Sequence, residues 1–216
     1  MNLPQKIEDA LARELNNIDN DFIENSLNLS FLQASKALLE SNIDCTFSGS
    51  TCVLTLIIGN KIWTANAGDS RAVLCQLDIE NNWISKQLTR DHKPNELDEF
   101  ARIIQRGGRV ESYKDENNNH LGPCRVWLKN QNIPGLAMSR SFGDVIASQV
   151  GVICEPEIFQ YEIQNSDKFI IIASDGVWEF IQNQNVMELI IPSYLNNQIQ
   201  KACENIINES VFQWKL

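Results

Sequence analysis

The chain has 216 residues, of which 43% are hydrophobic and 21% charged, and a formal net charge of −10. That length gives one domain room for a sizeable core, and the composition is that of a globular protein, not a disordered one. The acidic balance argues against a nucleic-acid binder, which presents a basic face, and the longest apolar runs, 53–58 and 169–173, are far too short to cross a bilayer.

The opening stretch MNLPQKIEDALARELN lacks the apolar centre of a secretory signal. From about residue 3 to 40 the spacing is helical. Ile7, Ala10, Leu11, Leu15 and Ile18 share one face, as do Phe31, Ala34, Leu38 and Leu39 further on. Around Ser48-Gly49-Ser50 the pattern changes to strand. TCVLTLIIG, KIWTANAG and RAVLCQLDI are rich in Val, Ile, Leu and Trp, and the turn dipeptides Gly-Asn and Gly-Asp between them predict an antiparallel run. NELDEFARIIQRGG predicts an amphipathic helix, with Asn95 as its cap, Leu97, Phe100, Ala101 and Ile104 on its apolar face, and Gly107-Gly108 as its stop.

Residues 111–136 are polar and irregular, with Asn117-Asn118-Asn119 at their centre, and are expected to form a long surface loop of the kind that carries function. The run Phe169, Ile170, Ile171, Ile172, Ala173 predicts a strand buried on both faces. A helix near 186–191, broken by Pro192, and a last amphipathic helix through Ile199, Cys203, Ile206 and Ile207 follow. No internal repeat or linker interrupts the chain, and grouped strands between helices give an α+β pattern.

The six cysteines, Cys45, Cys52, Cys75, Cys124, Cys154 and Cys203, form no Cys-x-x-Cys pair, and four lie in apolar or strand-like stretches. They are expected to be reduced, mostly packed thiols of an intracellular protein, cytoplasmic in the first place and nuclear as well.

Two carboxylates stand out. Asp69 and Asp175 each end a strongly apolar strand, in KIWTANAGD and FIIIASD. Gly-Asp and Asp-Gly are common turn chemistry, and that reading stays open. A bare carboxylate at such a place is costly unless it meets a cation or donors. Two of them at one sheet edge would make an oxygen-rich site suited to Mg2+ or Mn2+, and so to water attack on a phosphate.

Other signals fail. DNDF at 19–22 lacks the residue that should follow an aspartate-nucleophile pair and also fails as a calcium loop. No cysteine has an arginine six positions on, and no phosphate-binding glycine loop occurs. His92 and His120, the two histidines, have the surroundings of turn or loop residues, and Arg140 fits a surface or capping arginine better than a phosphate ligand.

The stretches FSGSTCVLTLI, ANAGDSRAVL, LTRDHKP, ARIIQRGGRV, PGLAMSRSFGD, GVICEPEI and IIIASDGVWEF follow one another along the chain. In that order they resemble the successive motifs of the metal-dependent protein phosphatase family, protein phosphatase 2C. The resemblance runs from about residue 48 to 180, with weaker helical similarity at both ends, and an ordered set of motifs is specific. It implies an α-β-β-α sandwich of two antiparallel sheets flanked by helices, and a single catalytic domain over 1–216 that is incomplete at both ends. The activity it implies is protein dephosphorylation in signal transduction. A water bridging Mg2+ or Mn2+ ions would hydrolyse phosphoserine and phosphothreonine in phosphoprotein substrates.

The same resemblance gives residues their roles. Asp175, in Ser-Asp-Gly, matches a metal ligand of the catalytic centre, and Asp69, in Gly-Asp-Ser-Arg, one that helps to hold a further, weaker metal. Residues 111–136 match the region of the flap beside the active site, and Arg140, Ser141 and Asp144 match a mainly structural motif. The family's Asp-Gly-His-Gly-Gly motif, its upstream phosphate-binding arginine and its last metal-binding aspartate have no counterpart in the sequence. Two expectations follow: a serine/threonine phosphatase of which this is most of the catalytic domain, or a non-catalytic, phosphatase-like protein that binds phosphoproteins or regulates a partner.

Overall fold

The computed structural model describes residues 19–215. The expected helical face Ile7, Ala10, Leu11, Leu15 and Ile18 lies outside them. Asp19 caps helix α1 (Asn20–Leu39), its side chain accepting from the Asp21 N–H at 3.1 Å. The DNDF stretch is thus a helix start. Ile23, Leu27 and Phe31, four residues apart, form the buried stripe of α1. Of the later face, Phe31 is buried and Leu38 half-buried, but Ala34 and Leu39 are exposed, because the stripe continues through positions 35 and 38.

Two three-stranded antiparallel sheets make the centre. Strands β2 (Cys52–Ile58), β3 (Lys61–Ala67) and β10 (Glu157–Glu162) are ordered β10-β3-β2. Strands β4 (Arg71–Leu77), β5 (Trp83–Gln87) and β11 (Asp167–Ala173) are ordered β11-β4-β5. The two-residue period of each central strand sorts its side chains between layers. From β3, Trp63, Ala65 and Ala67 pack under α1, while Ile62 meets Ala72, Leu74 and Leu88 between the sheets. From β4, Val73 and Cys75 point the other way, onto Val186, Met187, Ile190, Ala202 and Ile206 of two C-terminal helices. The layers are therefore helix, sheet, sheet, helix, and the α-β-β-α sandwich is what the structure shows. All six cysteines are free thiols; Cys45 and Cys75 are buried and Cys203 is exposed.

Several expectations are corrected. Residues 111–136 do not form a loop. They belong to a third antiparallel sheet of β6 (Gly108–Lys114), β7 (His120–Leu128) and β8 (Pro134–Leu136). Their polarity reflects strands with largely open faces, and the Asn run is the hairpin tip, where Asp115 accepts from the N–H groups of Asn117 and Asn119 at 2.9 and 2.8 Å.

Helix α2 (Leu97–Gln105) starts after Glu96, so Asn95 is not its cap. Its apolar face is turned outward: Leu97 is 86% exposed, and Phe100, Ala101 and Ile104 are exposed as well. The helix buries Glu99 and Ile103 instead. Ile103 packs on Val126, Ala147, Val150 and Val152, the last three from short helix α3 (Val145–Ser148) and the turn after it.

Pro192 does not break its helix. It sits inside the last turn of α5 (Asn183–Leu195), where the missing N–H costs a single bond near an end that frays in any case. In α6 (Ile199–Gln213) the buried stripe is Ala202, Ile206 and Ser210, so of the expected face only Ile206 is buried. Two short pieces complete the fold: β1 (Gly49–Ser50) pairs with β9 (Phe142–Gly143), and helix α4 (Asp175–Trp178) follows β11 directly.

Candidate active site

The turn by which the chain crosses from β3 in one sheet to β4 in the other carries Gly68, Asp69 and Ser70. Gly68 has φ +117°, and a Cβ there would lie 2.3 Å from Thr51 Cγ2. No other residue type fits that turn without displacing its neighbour. Ser70 Oγ and Thr51 Oγ1 share a hydrogen bond of 2.7 Å that ties the turn to the start of β2. Asn66 donates through Nδ2 to the carbonyls of Gly68 and Arg90 at 3.0 and 2.9 Å.

His92, expected to be a turn or loop residue, is fully buried against this turn. Its N–H donates to the Gly68 carbonyl at 3.0 Å, and the Gly68 N–H points at Nδ1 at 3.1 Å. Nε2 lies 3.1 Å from Glu157 Oε2. A carboxylate only accepts, so the network assigns the proton to Nε2 and leaves Nδ1 to accept from Gly68. Burial, then the charge of Arg140, pulls the His92 pKa below its usual value, which favours the neutral ring this arrangement needs.

Asp69 itself is buried, its side chain 4% exposed, and Lys93 Nζ donates to its Oδ2 at 2.6 Å. The Asp69 carboxylate therefore already meets a cation.

Asp175 is placed by the second sheet. Strand β11 pairs with β4 in register down to Ala173↔Arg71. Beyond Ala173 the chain leaves the ladder at Ser174 and enters α4, whose first residue is Asp175, so Asp175 follows β11 at the end of the sheet where Asp69 precedes β4. The turn is braced from beneath. Trp178 Nε1 donates to the Ala173 carbonyl at 2.8 Å, Trp214 Nε1 to the Gly176 carbonyl at 2.9 Å, and the Arg71 guanidinium lies over the Trp178 ring at 5.2 Å. Arg71 is itself held by Asp91, through Nε at 2.9 Å and Nη2 at 2.7 Å. In contrast to Asp69, Asp175 is exposed, and its carboxylate has no hydrogen-bond or ion-pair partner among the described residues.

Arg140 is not the surface arginine its sequence context implied. It is mostly buried and forks onto Glu99 Oε1 at 3.0 and 2.7 Å. Arg102 takes both Glu99 oxygens at 2.8 and 2.6 Å, and Ser139 Oγ donates to Oε2 at 2.5 Å. Burial pushes the Glu99 carboxyl up, but the two guanidinium groups and Ser139 outweigh it and hold it at about 2. Ser139 N–H also donates to the His92 carbonyl at 2.9 Å, so this network backs the residue that holds Gly68.

Of the sequence-predicted site residues, Asp69 and Asp175 are thus brought to one end of the sandwich, with one carboxylate buried and paired and the other open. No group of three or more His, Cys, Asp or Glu able to hold a metal occurs among the described residues. The two carboxylates are a partial oxygen donor set that suits a hard divalent cation, and the ammonium on Asp69 shows that a cation is favoured there. Sequence reasoning missed Lys93, His92 and Glu99. The signal for the first two was the stretch Asp-His-Lys-Pro, in which a histidine and a lysine stand side by side 24 residues after Gly68 and Asp69 respectively.

Comparison with known proteins agrees with this architecture. The family model of protein phosphatase 2C matches residues 3–213. "Probable protein phosphatase 2C 12" of Oryza sativa subsp. japonica is 40% identical over 177 residues, covering 82% of this chain and 44% of that protein. "Probable protein phosphatase 2C 52" of Arabidopsis thaliana is 36% identical over 203 residues, covering 92% and 42%. Among solved structures, serine-threonine phosphatase 2C from Toxoplasma gondii superposes with a TM-score of 0.77 at 20% identity, covering 88% of this chain and 62% of that one. A sex determining protein of C. elegans superposes with a TM-score of 0.72 at 22% identity, covering 94% and 47%. The chain belongs to the protein phosphatase 2C family. It spans less than half the length of the two plant relatives.

Proposed function

We propose that this chain is part of a protein serine/threonine phosphatase, a hydrolase that removes phosphate from phosphoserine and phosphothreonine in phosphoprotein substrates, with Mg2+ or Mn2+ held by Asp69 and Asp175. Membership of the family supports the phosphatase class. The observation that supports this reading is the antiparallel pairing of β4 and β11: Asp175 follows β11 at the sheet end where Asp69 precedes β4, one carboxylate buried against an ammonium and the other without a partner among the described residues.

Each residue has a task that follows from its surroundings. Asp175, open to solvent on a turn braced by Trp178 and Trp214, offers its oxygens to a cation without a pair having to be broken. Asp69 supplies charge from a buried position fixed by Gly68 and His92, so its carboxylate does not wander. When bound, a divalent cation supplies positive charge against phosphoryl oxygens and makes a nearby water more acidic. The third sheet, β6-β7-β8, contains the residues that the family resemblance matches to the region of the flap beside the active site.

The test is Mn2+-dependent hydrolysis of a phosphothreonine peptide by the 216-residue chain beside its Asp175→Ala variant. Loss of even an outer partner of a metal ligand costs about 10–100-fold. Removing Asp175 is therefore expected to cost on the order of 100-fold or more, with the fold intact by circular dichroism. Equal rates in the two proteins would remove Asp175 from the site.

A further inference from the structure

Lys93 is the one cation in ion-pair contact with the Asp69 carboxylate among the described residues. Its backbone is fixed on both sides: the Lys93 N–H donates to the Asp91 carbonyl at 3.1 Å, and its own carbonyl accepts from Glu96 N–H at 3.0 Å. Its neighbour His92 is locked against Gly68. The stem of Lys93 thus starts from an anchored point beside the Asp69 turn, while its side chain is 27% exposed and has a way out to solvent.

We propose that the Lys93 ammonium is a tethered cation that occupies Asp69 and excludes a divalent metal from it, so that Lys93 sets the metal affinity of this carboxylate. The proposal rests on the reading of Asp69 as a metal ligand. At 2.6 Å from Oδ2 the ammonium uses the lone pairs that a metal would need. If the metal took the other oxygen instead, a double and a single positive charge would stand within about 5 Å of one another beside a mostly buried group, where repulsion is poorly screened. A lysine suits such a role better than an arginine. Its charge is a compact point on a flexible stem, able to leave as a unit, whereas a guanidinium fork holds a carboxylate by two bonds at once. The contrast lies in the same structure: Arg71 clamps Asp91 with such a fork, and Arg102 and Arg140 clamp Glu99.

Mn2+ binding to the whole chain, read from the electron paramagnetic resonance signal of free Mn2+, tests this without reference to activity. Wild type is compared with Lys93→Met, Asp69→Asn and the double variant. Lys93→Met is expected to bind Mn2+ about tenfold tighter or more, a difference of ~1.4 kcal/mol. Asp69→Asn is expected to bind it more weakly, and the double variant like Asp69→Asn alone. If Asp69→Asn weakens binding but Lys93→Met does not tighten it, the exclusion is wrong and Asp69 remains a ligand. If Asp69→Asn leaves binding unchanged, the ligand reading falls and takes the exclusion with it.

A second measurement needs no change at Lys93. Trace acetylation of lysine amines, quantified by mass spectrometry against the other lysines as internal references, is expected to show Lys93 becoming more reactive as Mn2+ saturates the wild type. The increase should vanish in Asp69→Asn. A Lys93 reactivity indifferent to Mn2+ in the wild type overturns the proposal, whether or not Lys93→Met folds.

Discussion

The turn at Asp69 and the turn at Asp175 start from nearly the same sequence device, an apolar strand followed by a carboxylate beside a glycine, and end in opposite states. Around Asp69 the groups of the turn are engaged: Gly68 by His92, Ser70 by Thr51, and the carboxylate by Lys93. Around Asp175 only the backbone is held, by Trp178 and Trp214, and the carboxylate is left to solvent. Burial accounts for the difference. A carboxylate taken out of water needs a permanent counter-charge, whereas an exposed one keeps its hydration until a ligand arrives. The Asp69 turn is therefore a structural element whatever else it does, and the Asp175 turn carries no such structural duty.

That contrast can be broken, and the largest effect is expected deep on the Asp69 side. Glu99→Gln would leave Arg102 and Arg140 facing a neutral amide inside the protein. Breaking one partner of a buried ionic cluster costs about 3–5 kcal/mol, and urea unfolding should show a loss of that order. An unchanged midpoint would mean that the Glu99 network does not brace His92 and Gly68.

Next in size is Gly68→Ala, in which a Cβ would meet Thr51 Cγ2 at 2.3 Å in a backbone with φ +117°. Strain and overpacking together put the loss at roughly 2–4 kcal/mol, again read by unfolding. On the other side, Asp175→Ala should change the unfolding midpoint by less than about 0.5 kcal/mol, as an exposed substitution does, while removing activity as described above. Comparable stability losses at Gly68 and Asp175 would erase the distinction between the two regions.

The comparison is sharpened through pH. The Glu99 carboxyl is depressed from 4.5 to about 2 in the folded protein. A depressed carboxyl contributes stability that is present above its unfolded pKa and lost as pH falls through the folded one. The stability gap between wild type and Glu99→Gln should thus be full above pH 4.5 and narrow towards pH 2. A gap that widened on acidification would contradict the pairing.

The sandwich core is legible in β3 and β4, whose apolar runs are buried, and Asp69 and Asp175 stand out as the charges just beyond strand ends. The run 169–173 does form a strand, but it is not buried on both faces: β11 is an edge strand, only Ile171 in that run is buried, and Ile172 is 49% exposed. Other parts were hidden for physical reasons. In α2 the apolar residues Leu97, Phe100 and Ile104 promised a buried face, but the ion cluster at Glu99 took the inside, and such a cluster is assembled from residues 37–41 positions apart. Arg140 was misread for the same reason. The strands β6–β8 were taken for loop because polar side chains on open sheet faces leave no period-two apolar signal. The one signal for Lys93 is its place beside His92 in Asp-His-Lys-Pro; its pairing with Asp69 depends on a contact that only the folded chain makes.

The account turns on one sheet end holding one cation site. Crystals of the chain soaked in Mn2+ and measured for anomalous scattering test it most directly. The account predicts a Mn2+ peak within coordination distance of the carboxylates of both Asp69 and Asp175, with Lys93 displaced from Asp69. A peak elsewhere, or none at this end with Lys93 still bonded to Asp69 at saturating Mn2+, would contradict it.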